Sequence, residues 1–227
     1  MAKANRELQD LEIFEIEVLE YLNSIRVLEQ LYFGGGTMLR LCHNLNRYST
    51  DLDFWLKAGA NSKKVFDLMK SSFSKKYEII DSTNKHYTFL FQLRSSYSKR
   101  SLKIEIRKKS EVDFEWERKI AFSNFTTKQV QVLGLSLNQM MKNKIEALIS
   151  RKLIRDCFDI DFLVKRGIEL PNDKRKLEKV LVVIESFKDR DFKVTLGSIL
   201  DAKDREFFNT YRFDFLKREI IAQLNTL

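Results

Sequence analysis

The sequence predicts an α+β fold in two parts: helices and strands mixed over residues 1–135, then helices alone over residues 136–227. Three observations lead there. Residues 31–56 read as strand, glycine turn, short helix and strand. Residues 77–107 alternate polar and apolar in three short runs, the period of half-buried strands. From Ser136 onward, apolar residues recur at helical spacing only.

The elements follow in order. Leu8, Leu11, Phe14, Val18, Leu19, Leu22 and Ile25 predict an amphipathic helix over 6–30, with the acids between them on its polar side. Leu31-Tyr32-Phe33 is a short strand ending at Gly34-Gly35-Gly36, and a helix is expected over 37–45. Residues 51–56 alternate as a strand. Ser62 is placed to cap a helix over 61–75. Strands are expected over 77–80, 87–94, 102–107 and 129–133, the second and third joined by a hairpin turn at 95–100. Ser136 and Gln139 form a capping-box pattern that opens a helix to Arg151. Further helices are expected over 155–166, ending at Gly167, and over 172–188 and 204–224.

With 227 residues and 44% hydrophobic content, the chain can bury a sizeable core. Its formal charge of +9 favours a polyanionic partner, nucleic acid or nucleotide. Two cysteines (Cys42, Cys157) and two histidines (His43, His86) have no zinc spacing, and lone thiols suit a reducing cytoplasm. The charged N-terminus does not read as a signal peptide. No apolar run approaches the roughly 20 residues a membrane helix needs.

The chemistry concentrates in Phe33-Gly34-Gly35-Gly36-Thr37 and in Arg47-Tyr48-Ser49-Thr50-Asp51-Leu52-Asp53-Phe54. Main-chain N–H groups at a helix N-terminus bind phosphate, and glycine lets the phosphate approach closely. Alone, the glycines would equally suit a tight turn without a ligand. In a strand, Asp51 and Asp53 project to one face while Leu52 and Phe54 enter the core. Paired carboxylates repel unless a cation lies between them, and Mg2+ favours carboxylate and phosphate oxygens. Arg47 can neutralise phosphate or brace the loop, and Ser49 can donate a hydrogen bond.

Gly35-Gly36-Thr37 followed by Arg47-x-Ser49-x-Asp51-Leu52-Asp53-Phe54 resembles the AbiEii/AbiGii toxin family of the nucleotidyltransferase superfamily. So does Lys144 through Arg151, followed by Arg155-Asp156-x-x-Asp159-Ile160. The likeness spans residues 31–166. It implies a polymerase-β-like nucleotidyltransferase catalytic domain over 1–135 and a C-terminal helical-bundle domain over 136–227. It further implies that Gly35, Gly36 and Thr37 hold the triphosphate and that Asp51 and Asp53 hold Mg2+, with Mn2+ as the alternative. Lys144 would contact the phosphates, and Asp156 would complete the site. Members are typically toxins of toxin–antitoxin or phage-defence loci, and some act on tRNA acceptor ends.

Superfamily members usually add a third carboxylate. Glu105 is the candidate, since Leu102, Ile104 and Ile106 are read as buried and Glu105 faces the other way. Glu111 and Asp113 compete for the role, and Glu105 could instead pair with Lys103 or Arg107. Lys144, Arg151 and Arg155 would share a face if their helix is continuous. Asp156 and Asp159, three apart, could share another, and Arg155-Asp156 could be an internal ion pair. The expected reaction is in-line transfer of a nucleoside monophosphate from a nucleoside triphosphate to an acceptor hydroxyl, assisted by two metal ions in a cleft between the domains. RNA, tRNA above all, is the expected acceptor, and a cognate antitoxin protein the expected partner. Transfer to a small molecule and a non-catalytic nucleotide-binding module are the competing readings.

Overall fold

A computed structural model of the chain describes residues 2–108 and 114–227. The first helix, α1 (Ala2–Ser24), is buried on most of its sides, with Leu11, Phe14, Leu19 and Leu22 sealed from solvent. Glu12 and Glu15 are buried as well, against the expectation of a polar side. The helix stops short of Gln30 because Arg26 takes a left-handed φ of 60°. A 3-10 turn, Leu28–Gln30, then leads into β1 (Leu31–Gly34).

The glycine turn opens α2 (Gly35–His43), and Asn44 closes it in the left-handed conformation. Then come β2 (Asp51–Leu56), α3 (Ser62–Phe73), β3 (Glu78–Asn84), β4 (Thr88–Arg94), β5 (Leu102–Arg107), β6 (Trp116–Phe122) and β7 (Gln129–Leu135). Asn61 rather than Ser62 caps α3, its Oδ1 accepting from the Lys64 N–H at 3.0 Å. The strand β6 was not expected. Its Glu117-Arg118-Lys119 run hides the alternation, and such charges are common on edge strands.

The seven strands form one mixed sheet in the order β3-β4-β5-β2-β1-β7-β6. The central strand β2 runs antiparallel to β1 and parallel to β5. One face of the sheet carries the core. Phe33 stacks on Phe54 at 5.0 Å and Phe66 on Phe91 at 5.1 Å. Each such buried ring stabilises the fold by about 1.5–3 kcal/mol. This half rests on hydrophobic burial, and the opposite sheet face carries Asp51, Asp53 and Glu105.

The chain divides into two compact units, Met1–Asn44 with Tyr48–Leu135, and Leu45–Arg47 with Ser136–Leu227. In the second, Ser136 Oγ accepts from the Gln139 N–H at 3.1 Å to start α4 (Leu137–Arg151). The Gln139 side-chain amide also donates to Asn143 Oδ1 at 3.0 Å. Lys152, left-handed at φ 52°, ends α4 before α5 (Ile154–Lys165), so Arg155 lies on a different helix from Lys144. After α6 (Lys174–Ser186) come a π-helical turn, Asp191–Leu196, and a 3-10 turn, Gly197–Ile199. The single helix expected over 204–224 is two, α7 (Ala202–Tyr211) and α8 (Asp214–Leu224), broken at Arg212 with φ 48°. No described helix is long and apolar enough to cross a membrane.

Candidate active site

The glycine turn and the aspartate strand meet in the first unit. Gly34 pairs with Asp53 across β1 and β2. Gly35 has φ 75°, and a Cβ there would lie 2.8 Å from the Asp53 Cβ and closer still to its Oδ2. Only glycine fits, so the absent side chain lets the Asp53 carboxylate sit at the N-terminus of α2. That end carries the positive pole of the helix and the first N–H groups of its opening turn, at Gly35, Gly36 and Thr37. The Thr37 hydroxyl is engaged differently from the expectation. It donates to the Asp51 main-chain carbonyl at 2.6 Å and so pins α2 to the start of β2.

Asp51 and Asp53 are half-buried and share a face, while Leu52 and Phe54 are buried behind them. In the parallel pairing with β5, Asp53 is opposite Glu105 and Asp51 is opposite Lys103. Paired residues project to the same side, so all three carboxylates stand on one sheet face. Lys103 Nζ donates to Glu105 at 2.9 Å, and Arg107 lies 3.9 Å from the other Glu105 oxygen. The hydrogen bond to Glu105, aided by the Asp51 and Asp53 charges, holds the Lys103 ammonium above the usual lysine range. Glu111 and Asp113, the competing third carboxylates, lie outside the described residues.

Among the described residues, no three acidic, histidine or cysteine side chains stand gathered as a metal cluster. The donors present are still those a hard divalent ion takes. The Lys103 ammonium, standing in the joint field of the three carboxylates, marks a place where positive charge is stabilised. The residues therefore fit a divalent cation, with Lys103 as its competitor for Glu105.

Behind this face, Glu12 accepts from Ser123 Oγ at 2.7 Å and pairs with Arg40. Neither carboxylate oxygen of fully buried Glu15 has a hydrogen-bond partner. Burial, then the nearby Glu12 charge, pushes its pKa well up and favours its neutral form. Cys42, on α2, is inert by the same logic, since burial raises its thiol to about 12.

Arg47 and the helical signature form a separate network in the second unit. The buried Arg47 guanidinium grips Asp159 with two bonds, 2.6 and 2.7 Å. Lys144 Nζ lies 2.6 Å from Asp159 and 3.3 Å from Asp156, and Arg151 forks onto Asp156 at 2.6 and 2.7 Å. Asp156 pairs with Lys144 and Arg151, where Arg155 was considered. Burial alone would raise the Asp159 pKa, but Arg47 and then Lys144 outweigh it and hold it below the usual range. Asp159 is the hub that sequence reasoning left out of the site. Its signal was the spacing of three from Asp156. Ser49 lies half-buried in the connection two residues before Asp51.

No curated protein sequence matches the chain. The structure of JHP933 from Helicobacter pylori superposes with a TM-score of 0.51 at 18% identity, covering 94% of this chain and 95% of that one. A second H. pylori structure, provisionally described as a nucleotidyltransferase, gives 0.51 at 17% identity, covering 92% and 96%. These likenesses establish the fold. The family model described as nucleotidyl transferase AbiEii toxin, type IV toxin–antitoxin system, matches residues 19–219. The chain is a nucleotidyltransferase and belongs to the AbiEii toxin family.

Proposed function

We propose that the protein transfers a nucleoside monophosphate from a nucleoside triphosphate to a hydroxyl of RNA, a tRNA 3′ end by preference, with Mg2+, and acts as a toxin held by an antitoxin partner. One observation carries the reading. Three strands, β1, β2 and β5, bring the Gly35 turn and the Asp51, Asp53 and Glu105 carboxylates onto one sheet face.

Asp51 and Asp53 would hold the divalent ion, with Glu105 joining them once it leaves Lys103. When bound, the ion would supply charge neutralisation at the phosphates and acidify the attacking hydroxyl. The rest falls to the chain's own groups. The N–H groups of Gly35 and Gly36 bind phosphate oxygens, helped by the helix pole. Thr37 fixes Asp51 through its main chain. The acceptor oxygen forms a bond to the α-phosphorus, the bond to pyrophosphate breaks, and the hydroxyl proton is released.

In the second unit, Lys144 is 6% exposed and committed to two aspartates, which suits a positioning role. Arg151, its side chain 41% exposed, is the more open of the two to solvent. Arg47 and Ser49 would set the approach to β2.

The test is incubation with each labelled triphosphate, Mg2+ and total RNA, followed by sequencing of labelled ends. Label should appear at RNA 3′ ends, depend on the metal and vanish in Asp51→Ala. Growth arrest on expression should vanish in the same variant. Triphosphate binding without pyrophosphate release would contradict the enzymatic reading, and label appearing only in small molecules would contradict RNA as acceptor.

A further inference from the structure

The carboxylate face does not end at Asp53. Two residues further along each strand, the same face turns aromatic and basic. Beyond Gly34, Asp53 and Glu105 in register lie Tyr32, Trp55 and Arg107, paired across β1, β2 and β5. Next on β2's line comes Lys57. At a rise of about 3.3 Å per residue, Trp55 begins about 7 Å from Asp53 and Lys57 about 13 Å away. On β6, Trp116 and Arg118 project to this face too, opposite Leu135 and Leu133.

The groups are organised in layers of ring and cation. The Tyr32 and Trp116 rings stack at 5.9 Å and 28°. The Lys57 ammonium lies 5.3 Å from the first and 5.5 Å from the second. The Arg107 guanidinium covers Trp55 at 4.8 Å. Phe114 meets Tyr32 and Trp55 edge-on and ties the two halves together. A groove of ≈ 410 Å³ runs alongside, lined by Lys57, Trp116, Arg118, Gln131, Asn23 and Glu29 among others.

Purely structural packing would bury the indole of Trp116, yet 42% of that residue is exposed. It stands on an edge strand with cations on both sides of it. A stacked aromatic face flanked by Lys and Arg is what a single-stranded polynucleotide requires, since its bases have free faces and its phosphates alternate with them. A duplex hides those faces, and an apolar protein partner would gain nothing from three cations. The chain's charge of +9 has the sign to hold such a strand.

We infer that Tyr32 and Trp116, with Lys57, Arg107 and Arg118 and with buried Trp55 lying beneath Arg107, form a stacking platform for single-stranded RNA, seating the unpaired end of the acceptor beside the Asp51–Asp53 carboxylates. The inference rests on the proposed RNA acceptor, but its test does not depend on catalysis. Trp55 and Trp116 are the chain's only tryptophans, so intrinsic fluorescence reports on the platform alone.

The full-length protein, in EDTA and without triphosphate, is titrated with an unstructured RNA dodecamer. Saturable quenching is expected, weakening as salt rises. Trp116→Ala should bind about 5- to 150-fold more weakly, the range for loss of one base–aromatic stack, and Trp116→Tyr should recover most of it. Lys57→Gln should flatten the salt dependence. Wild-type binding by Trp116→Ala, absence of quenching, or equal binding of a duplex of the same sequence would each overturn the platform. Quenching retained by Asp51→Ala, which loses transfer, supports it. A wild-type protein that quenches normally but labels no RNA refutes the acceptor reading and leaves the platform standing, and one that labels RNA without quenching does the reverse.

Discussion

The molecule carries two clusters of aspartates that look alike in the sequence and differ in every physical respect. On the sheet of the first unit, Asp51 and Asp53 are half-buried, of like charge, and face outward beside Glu105. In the helices of the second, Asp156 and Asp159 are fully buried and saturated by Arg47, Lys144 and Arg151. Burial without a cation would neutralise an aspartate, and burial with one makes it structural. A half-buried carboxylate pair on a sheet face offers the oxygen ligands that a cation from outside would take. The difference separates the face proposed to react from the buried network of the second unit.

The largest expected effect tests the open cluster. Asp53→Asn should lower transfer by roughly a thousandfold or more, the scale on which charge stabilisation of the reacting group operates. Its unfolding free energy should change by about 1 kcal/mol or less, since the side chain is half-buried and not sealed in the core. Initial rates and urea melts on the same preparation measure both. A rate loss that merely tracks a stability loss would erase the contrast.

The buried cluster should respond in the opposite way. Asp159→Asn leaves Arg47 and Lys144 as buried charges without their counter-ion, at a cost of about 3–5 kcal/mol. The pH dependence follows from the depressed Asp159 pKa. A carboxylate lowered in the fold contributes stability above its unfolded value and loses it as pH falls through the folded one. Stability should therefore fall in acid, below the ordinary aspartate range, and Asp159→Asn should lose that part of the acid limb. Urea melts from pH 7 to pH 3 compare the two proteins. An unchanged acid limb in the variant would show that other carboxylates govern it.

How much was legible follows the same divide. The strand phase of Asp51, Asp53 and Glu105 could be read because alternation fixes the face of every residue, and a half-buried sheet prints that alternation in the sequence. The partners could not be read so directly. Glu12 and Glu15 look like polar-face residues, since nothing in a one-helix pattern says that α1 is covered on several sides. The breaks at Arg26, Lys152 and Arg212 fall on residues with no glycine or proline signal, because surrounding contacts impose the left-handed conformation there. The Arg47–Asp159 pair joins residues far apart in the chain, and only the fold brings them together. Strand β6 was hidden by its own protective charges.

A smaller effect tests how rigidly the open cluster is held. Gly35→Ala combines a positive φ with a Cβ driven into Asp53. The strain should cost about 1–3 kcal/mol. Displacing Asp53 by about 1 Å can cost up to 100-fold in rate. Gly59→Ala is the matched control, having φ 80° but open space around its Cβ. It should lose some stability and keep its activity. Equal rates for the two variants would mean that the turn at Gly35 shapes the backbone without positioning the carboxylate.

The smallest effect separates the two clusters most finely, because it concerns a cation held within the open cluster. Lys103 holds Glu105, yet its side chain is 44% exposed, so solvent weakens the pair to about 0–1 kcal/mol. Lys144, buried against Asp159, has no such discount. Lys103→Gln should therefore leave stability almost untouched while freeing Glu105 and removing a positive charge that competes with a metal ion. At about 1.4 kcal/mol per decade, the Mg2+ concentration for half-maximal transfer should fall by at most about fivefold. The metal dependence of initial rates reads this directly, and Glu105→Gln should move it the other way. If neither variant shifts half-saturation, Glu105 lies outside the metal's field, its bond to Lys103 is an ordinary cross-strand pair, and the chemistry of the sheet face rests on Asp51 and Asp53 alone.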